Sequence, residues 1–301
     1  MTNKMERDAF STYNPILNFM FFICAIVLGM FFVHPVFVLC SCLMAFSYYL
    51  TIHKKKGLKF IFGLLPVFIA LSAINPFFNT YGQTVIFTYF SGRPYTLEAL
   101  YYGMALASMF ISILCWFACY NSVMTSDKFL YIFGKIIPSI SLILTMVLRL
   151  VPRFEQKTIQ IANTRKCVGK SVESGTNRQK AESGLALLSI VTSWALEGSI
   201  ITADSMRSRG YGSGKRTNFA IYRFDIRDKI MMVVMASLVF IVAICGAMGG
   251  VEASYTPDMY ISPMSNIYSL LGATAYILFL SIPTFLNLKE ALIWHFLRSR
   301  I

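Results

Sequence analysis

The chain has 301 residues, 56% of them hydrophobic and 14% charged, yet 27 Lys and Arg against 14 Asp and Glu leave a net charge of +13. Soluble domains carry about 25% charged residues, so this chain cannot cover its apolar surface in water. A soluble enzyme, a disulfide scaffold and a disordered tail are excluded, and a polytopic membrane protein with a basic region remains.

Six charge-free segments approach the ~20 apolar residues that a helix needs to cross a bilayer core: Ile16–Val33, Pro35–Ile52, Phe60–Phe78, Ala99–Tyr120, Ile230–Gly249 and Asn266–Leu288. The first has no small-residue cleavage site and is followed at once by another apolar run, so it reads as a retained span. His34-Pro35 separates the first two segments, which are expected to form a helical hairpin because proline ends the preceding helix. Lys54, Lys55, Lys56 and Lys59 then mark a cytoplasmic turn by the positive-inside rule. The next loop, residues 79–98, has Arg93 as its one basic residue and faces outward. The last loop, residues 250–265, has Glu252 and Asp258 but neither Lys nor Arg, again as an outer loop should. Lys289, Arg298 and Arg300 return the tail to the inside, so both termini are expected in the cytoplasm.

Two further apolar stretches, Phe129–Leu148 and Leu185–Ala203, test this topology. If each crossed the membrane, the basic stretch between them would lie outside, against the positive-inside rule. They are therefore expected to be cytoplasmic or interfacial helices. Pro138 and Pro152 are expected to bracket a helix too short to span. Ser189, Thr192, Ser193, Glu197, Ser199 and Thr202 are expected to give the second helix a wet side. Two additional spans remain the alternative.

Residues 149–229 hold 15 of the 27 basic residues and 7 of the 14 acidic ones. An insert of this length between spans is a domain and not a loop. The expected organisation is an all-α integral membrane protein of about six transmembrane helices, with a cytoplasmic helical coupling domain inserted before the last two. Its parts are membrane helices one to four in residues 1–120, the coupling domain in 121–229, two more membrane helices in 230–288 and a cytoplasmic tail in 289–301.

The cysteines (Cys24, Cys40, Cys42, Cys115, Cys119, Cys167 and Cys245) form no CxxC pair, and all but one lie in apolar runs as small hydrophobes do. His34, His53 and His295 are too scattered to suggest a metal site.

Within the insert, Ala203-Asp-Ser-Met-Arg-Ser-Arg-Gly-Tyr-Gly-Ser-Gly-Lys-Arg-Thr217 continues a helix that Gly210 should cap, with Arg207 and Arg209 in the last turn where cations complement the helix dipole. A solvated helix end near anionic lipid headgroups explains it without further function. A phosphate-binding loop does not: GxxxxGK[ST] needs Gly at 209 and Ser or Thr at 216, and both positions are Arg. No aromatic platform accompanies the arginines, so nucleic acid is not an expected partner.

This segment, with Tyr222-Arg-Phe and Arg227-Asp228, resembles the second signature of the transmembrane T component of energy-coupling factor (ECF) transporters, the cobalt-transporter permease-like family. Further segments resemble the same family in order: Phe10, Tyr13-Asn-Pro15 and Asn18-Phe19; His34-Pro35; Asn75-Pro-Phe-Phe-Asn79, Gly82 and Thr84; Thr96-Leu-Glu-Ala99; and Leu148-Arg-Leu-Val-Pro-Arg153. The resemblance implies a non-catalytic subunit of the bacterial cell membrane in an ATP-driven importer of vitamins or other micronutrients. Its partners would be two cytoplasmic ABC-type ATPases, which bind the ATP and Mg, and a substrate-binding membrane S component. This chain itself would hold no cofactor.

Two coupling helices of that family end in short x-Arg-x motifs that dock on the ATPases. Ser208-Arg209-Gly210 matches the second; Thr164-Arg165-Lys166 is the best candidate for the first, with Lys in place of Gly and glycine arriving only at Gly169. The apolar insert helices, with Met146, Leu185 and Leu188, would offer the S component a platform, as exposed apolar surface commonly marks a partner. Arginine suits such docking because its planar fork stays charged and binds carboxylates through two bonds. The rival reading is an ion-coupled secondary carrier acting alone. Carriers usually keep ionisable groups within their spans, and the six segments have none. An intramembrane enzyme ranks lowest, since no nucleophile–base pair or metal cluster is visible.

Overall fold

Two Xaa-Pro steps start the first two helices. Asn14 accepts a hydrogen bond from the Ile16 amide at 3.1 Å and Pro15 opens α1 (Pro15–Phe31). His34 Nδ1 accepts from the Val36 amide at 3.3 Å and Pro35 opens α2 (Pro35–Phe78). In both, a polar cap meets an orphan donor and the fixed proline φ suits the first turn. The computed structural model describes residues 8–79, 82, 84–89, 93–134, 137–170, 176–214, 222, 224–255, 260–263 and 266–298. They divide into a unit formed by residues 1–129 with 222–301 and a second unit of residues 130–221.

In the first unit α2 breaks at Lys54, whose φ of +48° is left-handed, into halves Pro35–Lys54 and Lys56–Phe78. The lysine turn expected from the sequence is this break. A hairpin of β1 (Val85–Tyr89) and β2 (Arg93–Thr96) leads into α3 (Leu97–Val123). After the insert come α7 (Ile226–Ala247), the short strands β3 (Ala253–Ser254) and β4 (Tyr260–Ile261), and α8 (Ile267–Arg298).

The broadest packing is α2 on α3, followed by α7 on α8 and α8 on α2. The helical hairpin expected of α1 and α2 is not a packed pair: α1 lies mainly against α3, because Phe32–His34 runs on as an extended link. Gly103 permits the close approach of α3 to α2, since a Cβ there would stand 2.8 Å from the Ser72 carbonyl oxygen and 2.9 Å from Asn75 Cβ. Phe21 centres the core, 5.7 Å from the Trp116 ring, 5.0 Å from Phe279 and 5.2 Å from Phe10.

The segment before α1 clasps four helices. The Asn14 amide donates to Asp228 Oδ1 (3.4 Å) at the start of α7, and the Ala9 amide donates to Asn287 Oδ1 (2.8 Å) of α8. Tyr48 of α2 donates to Asp8 Oδ2 at 2.8 Å. Lys128 Nζ donates to the Ser11 carbonyl (2.6 Å) and hydroxyl (2.9 Å) and to the Val123 carbonyl (3.0 Å) at the end of α3. The opposite end holds His34, whose Nε2 donates to the Ser262 carbonyl at 3.3 Å, and Tyr255, whose hydroxyl donates to the Val33 carbonyl at 3.2 Å. The end of α3 and the start of α7 therefore lie at the same end of this unit.

The helix α4 (Ser126–Gly134) leads from the first unit into the second, which holds α5 (Pro138–Cys167) and α6 (Asn177–Ser208). The first of these long helices departs from the sequence expectation. Phe129–Leu148 is not one helix but is divided between α4 and α5, with Pro138 in the first turn of α5. Pro152 does not end its helix either; it lies inside α5, which runs on to Cys167. Proline forfeits one backbone bond there, and α5 is exposed at that point.

Among the described residues six helices are long and apolar enough to cross a membrane: Pro35–Lys54, Lys56–Phe78, Leu97–Val123, Asn177–Ser208, Ile226–Ala247 and Ile267–Trp294. The chain is thus built as a multi-pass, largely helical membrane protein. The apolar α1 is shorter at 17 residues, at the lower limit of about 17 for a span. Asn177–Ser208, which contains the stretch Leu185–Ala203 expected to be interfacial, qualifies by length and composition. Three of its hydroxyls, on Thr192, Ser199 and Thr202, donate to the carbonyls of Leu188, Leu196 and Gly198 at 2.8, 2.7 and 2.7 Å. Polar groups bonded back onto their own helix do not need water.

Candidate coupling site

The two motifs singled out in the sequence lie at the ends of α5 and α6, and the two ends close in the same way. At α6 the Gly210 amide donates to the Arg207 carbonyl at 3.0 Å and the Tyr211 amide to the Met206 carbonyl at 3.0 Å, with Gly210 at φ +81°. At α5 the Gly169 amide donates to the Lys166 carbonyl at 3.1 Å and the Lys170 amide to the Arg165 carbonyl at 3.0 Å, with Gly169 at φ +76°. This pair of bonds, with a left-handed glycine between them, is the Schellman closure. The sequence expectation that Gly210 caps α6 agrees with this geometry.

Superposing the two closures in sequence places Gly169 opposite Gly210 and Lys166 opposite Arg207. Arg209, the C-cap of α6, then corresponds to Val168, not to Arg165. Val168 is 72% exposed. Arg165 sits nearly one turn earlier, half-buried, with its Nε buried and without a hydrogen-bond partner. Thr164 donates from its hydroxyl to the Gln160 carbonyl at 2.9 Å, and Lys166 is exposed in the last turn of α5. Ser208 and Arg209 are exposed, and the Ser208 hydroxyl donates to the Ser205 carbonyl at 3.0 Å. The structure therefore gives each helix a basic, glycine-closed end but sets the first motif back from the tip. Lys215, Arg216 and Thr217, which complete the second motif in the sequence, and Arg223 lie outside the described residues.

The expected platform residues differ in exposure. Leu185 and Leu188 are 66% and 62% exposed, whereas Met146 is half-buried. No residue of α6 is buried. Each buried Leu or Ile gains about 1.5–3 kcal/mol, so this apolar helix forgoes in isolation most of what burial would give it. A Thr176 capping box with Gln179 starts it, a spacing readable in the sequence.

The two long helices meet at Trp194, a residue that the sequence reading passed over. Its ring lies edge-on to Phe154 at 5.6 Å, with the Arg153 guanidinium at 5.4 Å and Lys157 Nζ at 5.7 Å from its centre. Such cation–ring contacts fix long side chains that would otherwise be free.

Several residues that carried the family resemblance are brought together within the first unit. Asp228 both caps α7, accepting from the Asp225 amide at 3.1 Å, and accepts from Asn14 in the clasp. Thr84 donates from its amide (3.2 Å) and hydroxyl (2.7 Å) to Glu98 Oε1, and Gly82 at φ +107° leaves room for that carboxylate. Near the clasp, burial lowers the pKa of Lys128 against the opposing charge of Asp8. Burial, reinforced by the Asp127 carboxylate, raises that of Tyr222.

Neither a protein-family model nor a curated protein matches the chain.

Proposed function

We propose that the chain is the membrane-embedded energy-coupling subunit of an ATP-driven ECF-type importer, joining two cytoplasmic ABC-type ATPases to a substrate-binding membrane protein. The observation that carries this reading is the pair of glycine-closed, basic helix ends on α5 and α6. A long helix transmits a displacement of its end as a rigid rod, and an exposed Arg209 at such an end offers a motor domain a two-pronged contact for a carboxylate. Arg165 and Lys166 supply the charge at the other end. The chain performs no catalysis in this scheme; ATP and Mg belong to the partners.

The topology supports placing the insert on the cytoplasmic side. It leaves α3 and rejoins α7 at the same end of the first unit, so it must cross the membrane an even number of times. Among its described helices α6 alone meets the requirements of a span, and a single crossing would break that parity. The four-lysine turn shares this end, because His53 and the Ser122 hydroxyl are 2.9 Å apart, and the positive-inside rule assigns it to the cytoplasm. An α6 that does not cross leaves Leu185 and Leu188 to be covered by another apolar surface, which is the role proposed for the substrate-binding partner.

Purification of the tagged chain from its native membrane tests the reading. Two ATPase subunits and a small polytopic protein are expected to accompany it; a chain recovered alone from mild detergent contradicts it.

A further inference from the structure

Between the apolar flank of α5 and its tip lies a row of cations that the coupling role does not use. Arg149, Arg153 and Lys157 follow one another at four-residue spacing, which aligns them on one face of a helix. Among the described residues none of the three forms an ion pair, whereas Arg178 and Glu182 of the same unit do, at 3.3 Å. Arg153 and Lys157 are held over the Trp194 ring instead. Val147 and Val151 are exposed too, but two residues from the cations they lie on the far face of α5. The row ends about 18 Å before Gly169, counting about 1.5 Å per helical residue.

We infer that Arg149, Arg153, Lys157 and Trp194 form a binding site for the headgroup of an anionic phospholipid in the bilayer surface. Charge complementarity chooses this occupant. Three cations without carboxylates of their own match a phosphate, and an indole beside them suits the boundary between headgroup and acyl chain. The stacking on Trp194 pre-orders two of the cations, so less side-chain freedom is lost when the phosphate binds.

The test uses the full chain in vesicles without any partner subunit, so its outcome is independent of the coupling role. Trp294 is replaced by Phe, which leaves Trp194 and the buried Trp116. Acyl-brominated phosphatidylglycerol or phosphatidylcholine is mixed at equal mole fraction into a common lipid background, and quenching of indole fluorescence is read. Brominated phosphatidylglycerol is expected to quench the more strongly. Each of Arg149→Gln, Arg153→Gln and Lys157→Gln should reduce the preference about fivefold, the triple variant should abolish it, and Arg153→Lys should retain it. Equal quenching by the two lipids, a preference that survives the triple variant, or its loss on adding inorganic phosphate to the aqueous phase would each overturn the assignment. No quenching by either lipid would overturn it as well.

Discussion

Gly169 and Gly210 are equivalent residues: each stands in the left-handed region, at φ +76° and +81°, and each closes a long helix with the same pair of backbone bonds. The two ends are thus one device built twice from unrelated sequence, Arg-Lys-Cys-Val-Gly-Lys and Met-Arg-Ser-Arg-Gly-Tyr. A side chain at either glycine strains the backbone by about 1–2 kcal/mol. Gly169→Ala and Gly210→Ala should therefore loosen the last turn of their own helix, raising amide hydrogen exchange over its final residues about five- to thirtyfold. Asn, which tolerates this conformation, should lie between Gly and Ala. Unchanged exchange in Gly210→Ala would mean that the closure is not what holds the end.

The equivalence also assigns an unequal role to the two arginines. Arg209 occupies the tip, while its counterpart is Val168 and Arg165 is half-buried behind it. Arg209→Lys should weaken retention of the ATPases more than Arg165→Lys, because the exposed guanidinium loses its two-pronged contact. Val168→Arg should restore retention lost in Arg165→Ala, measured as the ATPase-to-subunit ratio after purification. No recovery would place the first contact nearly a turn back, at Arg165 itself.

The clasp before α1 predicts a stability effect within the first unit. Asp228 accepts from two backbone amides while nearly buried, 6% exposed. Asp228→Ala leaves both donors unmet and should cost about 1–3 kcal/mol for each, seen as a lower Tm in detergent. Lys128 adds a pH dependence. Burial lowers its pKa from 10.5, so between the folded and unfolded values the unfolded chain binds more protons. Stability should rise with pH as 10.5 is approached from below, and Lys128→Met should remove that slope.

Gly103 makes the packing of α2 on α3 testable. A Cβ at that position meets the Ser72 backbone oxygen at 2.8 Å, and a backbone atom cannot rotate away as a side chain does. Gly103→Val is expected to cost about 1–3 kcal/mol or more through overpacking and to lower the yield of monodisperse protein. Gly63, whose Cβ would meet nothing within 4 Å, is the matched control; equal losses from Gly63→Val would discount the close approach.

What the sequence disclosed and what it hid divide along the range of the interactions. The apolar spans, the lysine turn and the Gly210 closure depend on residues within a turn or two, so composition and local spacing revealed them. The contact of Asn14 with Asp228 joins positions 214 residues apart, and no local pattern announces it. Hydroxyls at Thr192, Ser199 and Thr202 read as a wet side, and sequence does not show that each is also bonded to its own backbone. The first motif was placed on Arg165 by its likeness to the x-Arg-x pattern of the family that the chain resembles. Gly169 sets the geometry of that end, and it puts Val168 at the tip.

Cys167 supplies a native reporter of the topology, since it is exposed at the end of α5 while Cys24, Cys40, Cys42, Cys115, Cys119 and Cys245 are buried or half-buried. With the insert in the cytoplasm, a membrane-impermeant maleimide should label Cys167 in inside-out vesicles and not in intact cells. Labelling in intact cells would place the end of α5 outside.

The central claim, that the end of α6 couples this subunit to its motors, is tested most directly by Arg209→Glu. The variant should insert and purify at wild-type yield yet lose both the accompanying ATPases and ATP-dependent uptake in reconstituted vesicles. Wild-type uptake with the ATPases still bound would contradict the account.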